Sequence, residues 1–106
     1  MSKVIEGRDD NFEQEVLASE IPVLVDFYAD WCGPCRRLAP VLETLSDKMA
    51  GTAKIVKVNV ERQSDIADAY KIRSLPTIVI VKHGEVVYQH SGVLPLEELE
   101  RQLNQA

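Results

Sequence analysis

Cysteine, positive charge and long apolar runs are all scarce in this sequence of 106 residues. The two cysteines, Cys32 and Cys35, would close a loop too short to staple a fold, which excludes a disulfide-rich scaffold. Twelve Lys and Arg against seventeen Asp and Glu give a net charge of −5, which argues against a nucleic-acid partner. No apolar run approaches the roughly 20 residues that span a bilayer, so we expect no membrane partner.

The chain has the composition of a single globular domain. Hydrophobic residues make up 45% and charged residues 27%, close to the globular average, and the length predicts one domain over residues 1–106. The N-terminal residues contain no apolar core of a signal peptide. We therefore expect a cytoplasmic protein, in a compartment where thiols are mostly kept reduced.

Apolar periodicity and turn residues predict an α/β protein. The first predicted elements are a strand over Lys3–Glu6, a helix capped by Asp9 or Asp10 that runs to about Ala18 with Phe12, Val16 and Leu17 on one face, and a strand over Val23–Ala29. A long helix from Pro34 to Met49 follows; Pro40 should kink it, and Gly51 ends it. The remaining elements are a strand over Ala53–Val60, a helix over Ser64–Tyr70 capped by Ser64, strands over Thr77–Val81 and Glu85–His90, and a helix from Pro95 through Leu103. Helices between the early strands imply parallel pairing, and His83-Gly84 predicts an antiparallel hairpin. The element order β-α-β-α-β-α-β-β-α therefore predicts a central mixed sheet with helices on both faces.

The motif Trp31-Cys32-Gly33-Pro34-Cys35 falls where the most apolar strand ends and the longest helix begins. Chemistry in open α/β sheets gathers at the carboxyl ends of strands. The helix N-terminus favours a thiolate at Cys32 and so makes it the attacking nucleophile. Cys35 lies one turn further on, where we expect it to be more shielded and within reach of the Cys32 sulfur. The pair is therefore predicted to cycle between dithiol and disulfide.

Two other interpretations of the cysteines are open. In the first, the cysteines are free structural thiols; in the second, they are half of a zinc site. The position of C-x-x-C at a strand–helix junction argues against the first. The second lacks its remaining ligands, because only His83 and His90 are left and they flank a hairpin elsewhere. The pattern therefore favours redox chemistry, and we expect no metal.

Asp26 and Lys57 are charged residues flanked by apolar neighbours in predicted core strands. Burial of the Asp26 carboxyl in a sheet covered on both faces would raise its pKa, whereas a solvent-facing Asp26 on an edge strand would titrate normally. Lys57 is the one cation in the apolar stretch Ile55-Val56-Lys57-Val58. Either its ammonium partners the Asp26 carboxylate, or it extends to solvent as surface lysines often do.

Over essentially its whole length the sequence resembles the thioredoxin family. The resemblance is carried by the segment Val23–Arg36, Pro40, Lys57, Leu75-Pro76-Thr77, Gly84 and Gly92. It implies the thioredoxin fold and a thiol–disulfide oxidoreductase that reduces protein disulfides through a reversible Cys32–Cys35 cycle. It also implies a thioredoxin reductase as electron donor, disulfide-containing proteins as substrates, and a monomer. No Gly-rich nucleotide fingerprint is present, so we expect no cofactor beyond the redox disulfide.

The resemblance also implies roles for individual residues. Cys32 would be the nucleophile and Cys35 the resolving thiol, with Asp26 taking up or relaying the Cys35 proton and Lys57 moderating the pKa of Asp26. Pro76 would follow a cis bond, although the sequence alone favours trans, and would place the Leu75 backbone beside the cysteines for an extended substrate. An apolar collar for substrates would comprise Trp31, Gly33, Pro34, Val60, Leu75, Gly92 and Val93. For Trp31, core packing is the alternative.

Four positions depart from the family pattern. Tyr28 stands where a second tryptophan is frequent, Arg36 where lysine is common, Ser74 where glycine is frequent and Ser91 where an apolar residue is frequent. The two serines touch the expected docking surface, so they bear on partner choice.

Two rival functions are kept beside the reductase. A disulfide oxidase or isomerase is disfavoured by the Gly-Pro pair between the cysteines. A redox-independent scaffold would use the same collar, and its role would survive replacement of both cysteines by serine.

Overall fold

The protein is described by a computed structural model that covers residues 3–106. The strands are β1 (Ile5–Glu6), β2 (Val23–Tyr28), β3 (Lys54–Asn59), β4 (Thr77–Lys82) and β5 (Glu85–Ser91). They form one sheet in the order β1-β3-β2-β4-β5. Strand β3 pairs in parallel with β1 and β2, and β4 pairs antiparallel with β2 and β5. The predicted mixed sheet is confirmed. Strands β1, β2 and β3 are mutually parallel, as predicted for the early strands.

The helices are α1 (Gly33–Lys48), α2 (Ser64–Ala69) and α3 (Leu96–Gln105), preceded by a short π-helical turn over Glu13–Leu17. The predicted helix from Asp9 or Asp10 to Ala18 is therefore shorter than expected and of another type. Its defining bond runs from the Ala18 N–H to the Glu13 carbonyl at 2.8 Å, a five-residue step. The turn still buries Phe12 and Val16 against the sheet, so the predicted apolar face is confirmed.

The predicted helix caps are wrong: the two aspartates bond elsewhere, and Ser64 lies inside its helix. The Asp10 carboxylate pairs with Arg8 at 2.8 Å. The Asp9 carboxylate accepts from the Ile66 N–H at 3.3 Å, in the first turn of α2. Ser64 is itself helical and makes no cap bond. The first turn of α2 is thus bonded by a residue 57 positions earlier in the chain, which local sequence patterns do not show.

Helix α1 begins at the cysteine motif. Cys32 is its N-cap and Pro34 lies in its first turn, where the missing proline N–H costs nothing. Pro40 lies inside the helix as predicted, and the bend expected there stays a prediction. The helix ends one residue earlier than expected, with Met49 as its C-cap.

Two apolar clusters cover the two faces of the sheet. One packs α1 and α3 on the sheet through Leu24, Leu38, Leu42, Leu45, Ile55, Ile78, Ile80, Leu99 and Leu103, with Met49 and Ala53 at its margin. The other packs the π-helical turn and α2 through Phe12, Val16, Val23, Val25, Phe27, Val56, Val58, Ile66, Val79 and Val81. Successive side chains along a strand alternate between faces, so Asp26 lies on the same face as Leu24, towards α1. Helices on both faces are confirmed.

The hairpin between β4 and β5 turns at His83 and Gly84. Their φ angles are 51° and 79°, as required at both central residues of a type I′ turn. Strand β5 forms one edge of the sheet, and α3 follows after Pro95. Among residues 3–106, no helix has the length and apolar character needed to cross a membrane.

Candidate active site

Both cysteine sulfurs lie at the N-terminal end of α1, at the end of the segment that follows β2. Cys32 and Cys35 form a disulfide, with their Cα atoms 5.2 Å apart. The Cys35 N–H donates to the Cys32 sulfur at 3.2 Å. The first turn of α1 contains no acidic residue, so the helix dipole and this N–H act on Cys32 without a nearby carboxylate in that turn. Such a position stabilises a thiolate once the disulfide is reduced.

The prediction that Cys35 is the more shielded cysteine is wrong for the oxidised pair. Each cysteine is 4% exposed. Both cysteines are buried by the same neighbours. They form a cluster with Ala29, and Val60 and Leu75 pack against that cluster. Burial alone therefore does not assign the attacking and resolving roles.

The expected substrate collar is only partly assembled around the sulfurs. Val60 and Leu75 pack on the cysteine cluster. The Leu75–Pro76 bond is cis, as the resemblance implied, and the Pro76 carbonyl accepts from the Gly92 N–H at 2.8 Å. The Pro76 loop and Gly92 are thereby joined on one side of the disulfide.

Trp31 and Val93 are exposed and do not belong to that packed cluster. The Trp31 residue is 66% exposed and Val93 is 43% exposed. The alternative that Trp31 is a core residue is therefore wrong. Gly33 and Pro34 are partly buried in the turn between the cysteines.

The Asp26 carboxyl is buried, which excludes the solvent-facing alternative. The residue is 3% exposed, and its Oδ1 has no hydrogen-bond partner within residues 3–106. Burial raises the pKa of Asp26 from 3.8 to about 7, and the Lys57 charge opposes that rise. A carboxyl with this pKa exchanges a proton easily near neutral pH.

A cleft of about 230 Å³ is lined by both Asp26 and Cys35. Its lining includes Asp26, Cys35, Lys57 and Tyr28, together with Val4, Ala29, Asp30, Arg36, Ala39, Leu42 and Glu43. Because Asp26 and Cys35 line one cavity, the sequence-based expectation that they work together has a spatial basis.

Lys57 makes no ion pair with Asp26 in the structure. Its Nζ lies 3.8 Å from the Glu6 carboxylate and 5.4 Å from the centre of the Tyr28 ring. Its side chain is 42% exposed. The ammonium is thus partly exposed and its charge lowers the pKa of Asp26. Its role as the charge partner of Asp26 stays a prediction.

Sequence reasoning missed a polar network at the mouth of this cleft. The Tyr28 hydroxyl donates to Glu6 at 3.0 Å and accepts from Arg62 at 3.4 Å. Arg62 also pairs with Asp30 at 2.9 Å, and Arg36 donates to the Asp30 carbonyl at 2.7 Å. The only signal in the sequence was the polar Tyr28 at a position where the family has an indole. The bonding partners of that tyrosine depend on strand order.

No group of three or more His, Cys, Asp and Glu side chains in residues 3–106 could hold a metal ion. The expectation that the protein binds no metal stays a prediction.

Known proteins resemble this chain along nearly its whole length. The family model described as Thioredoxin matches residues 3–105. A thioredoxin of Haemophilus influenzae is 44% identical over 105 residues, which cover 99% of this chain and 98% of the relative. Thioredoxin C-2 of Corynebacterium nephridii is 49% identical over 96 residues, covering 91% and 89%. A thioredoxin of Chlorobaculum thiosulfatiphilum is 47% identical over 103 residues, covering 97% and 95%.

Proposed function

The chain belongs to the thioredoxin family and is a thiol–disulfide oxidoreductase that reduces protein disulfides, and from this we propose the role of each residue in its active site. Its five-stranded mixed sheet with helices on both faces is a thioredoxin fold. One observation carries the proposal: Cys35, half of the disulfide at the N-terminus of α1, lines the cleft that contains Asp26.

The reduced protein passes two electrons to its substrate in two exchanges. The Cys32 thiolate attacks one sulfur of the substrate disulfide, forms a mixed disulfide and releases the other substrate sulfur as a thiolate, which takes a proton from solvent. The Cys35 thiolate then attacks the Cys32 sulfur and releases the second substrate thiolate. The protein ends as the Cys32–Cys35 disulfide, and the substrate ends as two thiols.

Asp26 accepts the proton that Cys35 must lose before the second exchange. Its pKa of about 7 leaves a substantial fraction ionised at neutral pH, and it lines the same cleft as Cys35. Lys57 is the charge partner that keeps the carboxyl from becoming too weak an acid, since its positive charge favours the carboxylate form.

An extended segment of the substrate lies beside the disulfide. The backbone of Leu75, next to the cis bond at Pro76, offers main-chain hydrogen bonds that do not depend on the substrate side chains. The exposed Trp31 and Val93, with Val60 and Gly92, cover its apolar groups. Gly33 and Pro34 keep the turn between the cysteines small, so a substrate sulfur can approach Cys32.

Family membership also supports proposals for the electron donor, the substrates, the cofactor and the compartment. We propose a thioredoxin reductase as the electron donor, disulfide-containing proteins as substrates and no bound cofactor other than the redox disulfide. The cytoplasm, where thiols are mostly kept reduced, suits that cycle. We further propose that residues 1–106 act as one domain and as a monomer.

Reduction of insulin disulfides with a chemical dithiol as electron donor tests the proposal. The wild type should turn over, and Cys32→Ser should lose activity by at least about 10³-fold because the nucleophile is gone. Cys35→Ser should stop after the first exchange and accumulate a mixed disulfide on Cys32, visible by mass spectrometry. A wild type without turnover would overturn the reductase, and a mixed disulfide on Cys35 in Cys32→Ser alone would reverse the order of attack.

The double variant Cys32→Ser/Cys35→Ser addresses the scaffold alternative. The proposal expects this variant to lose every activity of the protein in a strain that depends on it. Full function of the double variant in such a strain would favour a redox-independent role.

A further inference from the structure

We propose that Glu6 is a positioning residue for the proton-accepting carboxyl of Asp26, and that it acts through Lys57. The inference deepens the proposed function and rests on it, because it concerns when Asp26 can take the Cys35 proton. Glu6 does not line the cleft, and nothing in its sequence context marks it. Its significance comes from its place in the sheet.

Strand pairing sets Glu6, Lys57 and Asp26 in one row across three neighbouring strands. Glu6 of β1 pairs with Lys57 of β3, and Lys57 pairs with Asp26 of β2. Residues directly opposite in neighbouring strands project from the same face of a sheet. Lys57 therefore stands between two carboxyls, one exposed at the edge strand and one buried in the core.

Glu6 and Tyr28 together hold the Lys57 ammonium at the rim of the cleft. One Glu6 oxygen lies 3.8 Å from Lys57 Nζ, and the other accepts the Tyr28 hydroxyl hydrogen at 3.0 Å. The ammonium also lies 5.4 Å from the centre of the Tyr28 ring. The Tyr28 hydrogen bond fixes Glu6, and Glu6 in turn gives the ammonium a partner outside the cleft.

In that arrangement the positive charge of Lys57 interacts with two carboxyl groups, those of Glu6 and Asp26. A cation close to Asp26 favours its ionised form, whereas a cation held by a second carboxylate favours it less. The buried Asp26 Oδ1 has no hydrogen-bond partner in the described part of the chain, so the distribution of nearby charge matters strongly there. Glu6 thus keeps Asp26 a better proton acceptor than a lone Lys57 would allow.

The other charged groups around this row have partners of their own or lie on the far wall. Arg62, from the loop after β3, is bonded to Asp30 and Tyr28, and Arg36 of α1 donates to the Asp30 carbonyl. Glu43 of α1 lines the cleft. Across the remaining strand, β4 places only Ile78 opposite Asp26. Lys57 is also the one cation whose charge affects the pKa of Asp26 appreciably among the described residues.

The test is Glu6→Gln, which keeps the size and polarity of the side chain and removes its charge. The titration midpoint of the Asp26 carboxyl, read by carbon NMR on the oxidised protein, should fall by about half a unit because Lys57 is released from its partner. The rate of the second thiol exchange in the reduced protein should shift its pH midpoint in the same direction. A structural role for Glu6 would leave both midpoints in place.

Strand β3 offers a matched control. Lys54 pairs with Glu15 at 3.3 Å with similar partial exposure, but its neighbour on β2 is Val23. Glu15→Gln should therefore leave the Asp26 midpoint unchanged. An equal fall in both variants would overturn the proposal, because it would reflect net charge alone.

The route through Lys57 is tested in the Lys57→Met background. Glu6→Gln should there shift the Asp26 midpoint by less than half as much as in the wild type. A shift of full size would show that Glu6 acts directly on Asp26 and overturn the route. An unmoved midpoint in Glu6→Gln alone would overturn the inference altogether.

These outcomes are separable from failure of the proposed function. The NMR titration needs no turnover, so it reports on Glu6 whether or not Asp26 takes part in the reaction. Asp26→Asn addresses the proposed function directly: an unchanged pH profile of the second exchange in that variant would remove Asp26 from the mechanism.

Discussion

Strand β3 contains two lysines, Lys54 at its start and Lys57 in its second half, and each pairs with a carboxylate from another element. Lys54 lies 3.3 Å from Glu15 and Lys57 lies 3.8 Å from Glu6. All of these side chains are partly exposed, and such pairs contribute little to stability. The two lysines differ in their neighbour on β2, which is Val23 for Lys54 and Asp26 for Lys57. The same kind of surface pair thus has an apolar neighbour at Lys54 and the buried carboxyl of Asp26 as its neighbour at Lys57.

The two ends of the sheet also differ in how their buried polar groups are satisfied. Within residues 3–106, the buried side-chain atoms without a hydrogen-bond partner are Asp26 Oδ1 and Asn59 Nδ2. Asp26 lies in the middle of β2, and Asn59 ends β3 on the side of the cysteines. The Lys54 end is lined instead by aliphatic residues such as Ile80. The buried polar atoms without a partner in residues 3–106 therefore lie at the centre of the sheet and towards the cysteines, and not beside Lys54.

Truncation of Asp26 and truncation of Ile80 should have the largest effects, and these should be opposite in sign. Asp26→Ala should raise the free energy of unfolding at pH 8 by about 2–4 kcal/mol, because an ionised buried carboxylate is removed. Ile80→Ala should lower it by about 2–5 kcal/mol, because a cavity is left in the core. Denaturant unfolding measures both. Insulin reduction by Asp26→Ala should slow roughly 10-fold to 100-fold near pH 7 as the proton acceptor is lost.

The pH dependence of that stabilisation gives its sign. The pKa of Asp26 is raised from 3.8 to about 7 on folding, so between these values the native state binds more protons than the unfolded state. The contribution of this group to stability is full below pH 3.8 and is lost as the pH rises to about 7. The advantage of Asp26→Ala over the wild type should therefore grow between pH 4 and 7. The same advantage at pH 4 and pH 8 would contradict the buried-acid account.

Replacing each lysine of β3 in turn should show which of them affects the pKa of Asp26. Lys57→Met should raise the titration midpoint of Asp26 by about half a unit to one unit, because a nearby positive charge no longer favours the carboxylate. Lys54→Met, the matched change at the other end, should leave it in place. Carbon NMR of the Asp26 carboxyl distinguishes the two, and equal shifts would mean that the lysines act only through net charge.

Loss of one hydroxyl should have the smallest effect. Tyr28→Phe keeps the ring beside Lys57 but removes the hydrogen bond that fixes Glu6. The Asp26 midpoint should fall by a few tenths of a unit, less than in Glu6→Gln. Tyr70→Phe is the control, because Tyr70 packs on Phe12 in the cluster on the opposite face. A larger shift for Tyr70→Phe would argue against the network at the cleft.

Much of the fold could be predicted from the sequence because its signals are local. The strand over Val23–Tyr28 follows from an almost unbroken apolar run, and the start of α1 follows from Pro34 in the first turn. The predicted cap at Asp9 failed because that carboxylate bonds to Ile66. A bond between residues so distant in sequence leaves no local pattern.

The same distinction divides the active site. The cysteine motif could be identified from its spacing. Asp26 could be identified because it is an acidic residue within an apolar strand. The role of Glu6 could not be seen, because it depends on β1 pairing with β3 rather than with β2. The equal burial of the cysteines was also missed, since it depends on Val60 and Leu75, which come from other parts of the chain.

The bond from Ile66 to Asp9 has a consequence for local opening. Helix α2 has only six residues, too few to be stable alone, and one of its first-turn N–H groups depends on a carboxylate from the N-terminal segment. The Asp9 N–H in turn donates to the Gln63 side chain just before α2. Any fluctuation that detaches residues 8–12 therefore also loosens the start of α2, and the two segments behave as one cooperative unit despite their separation in the chain.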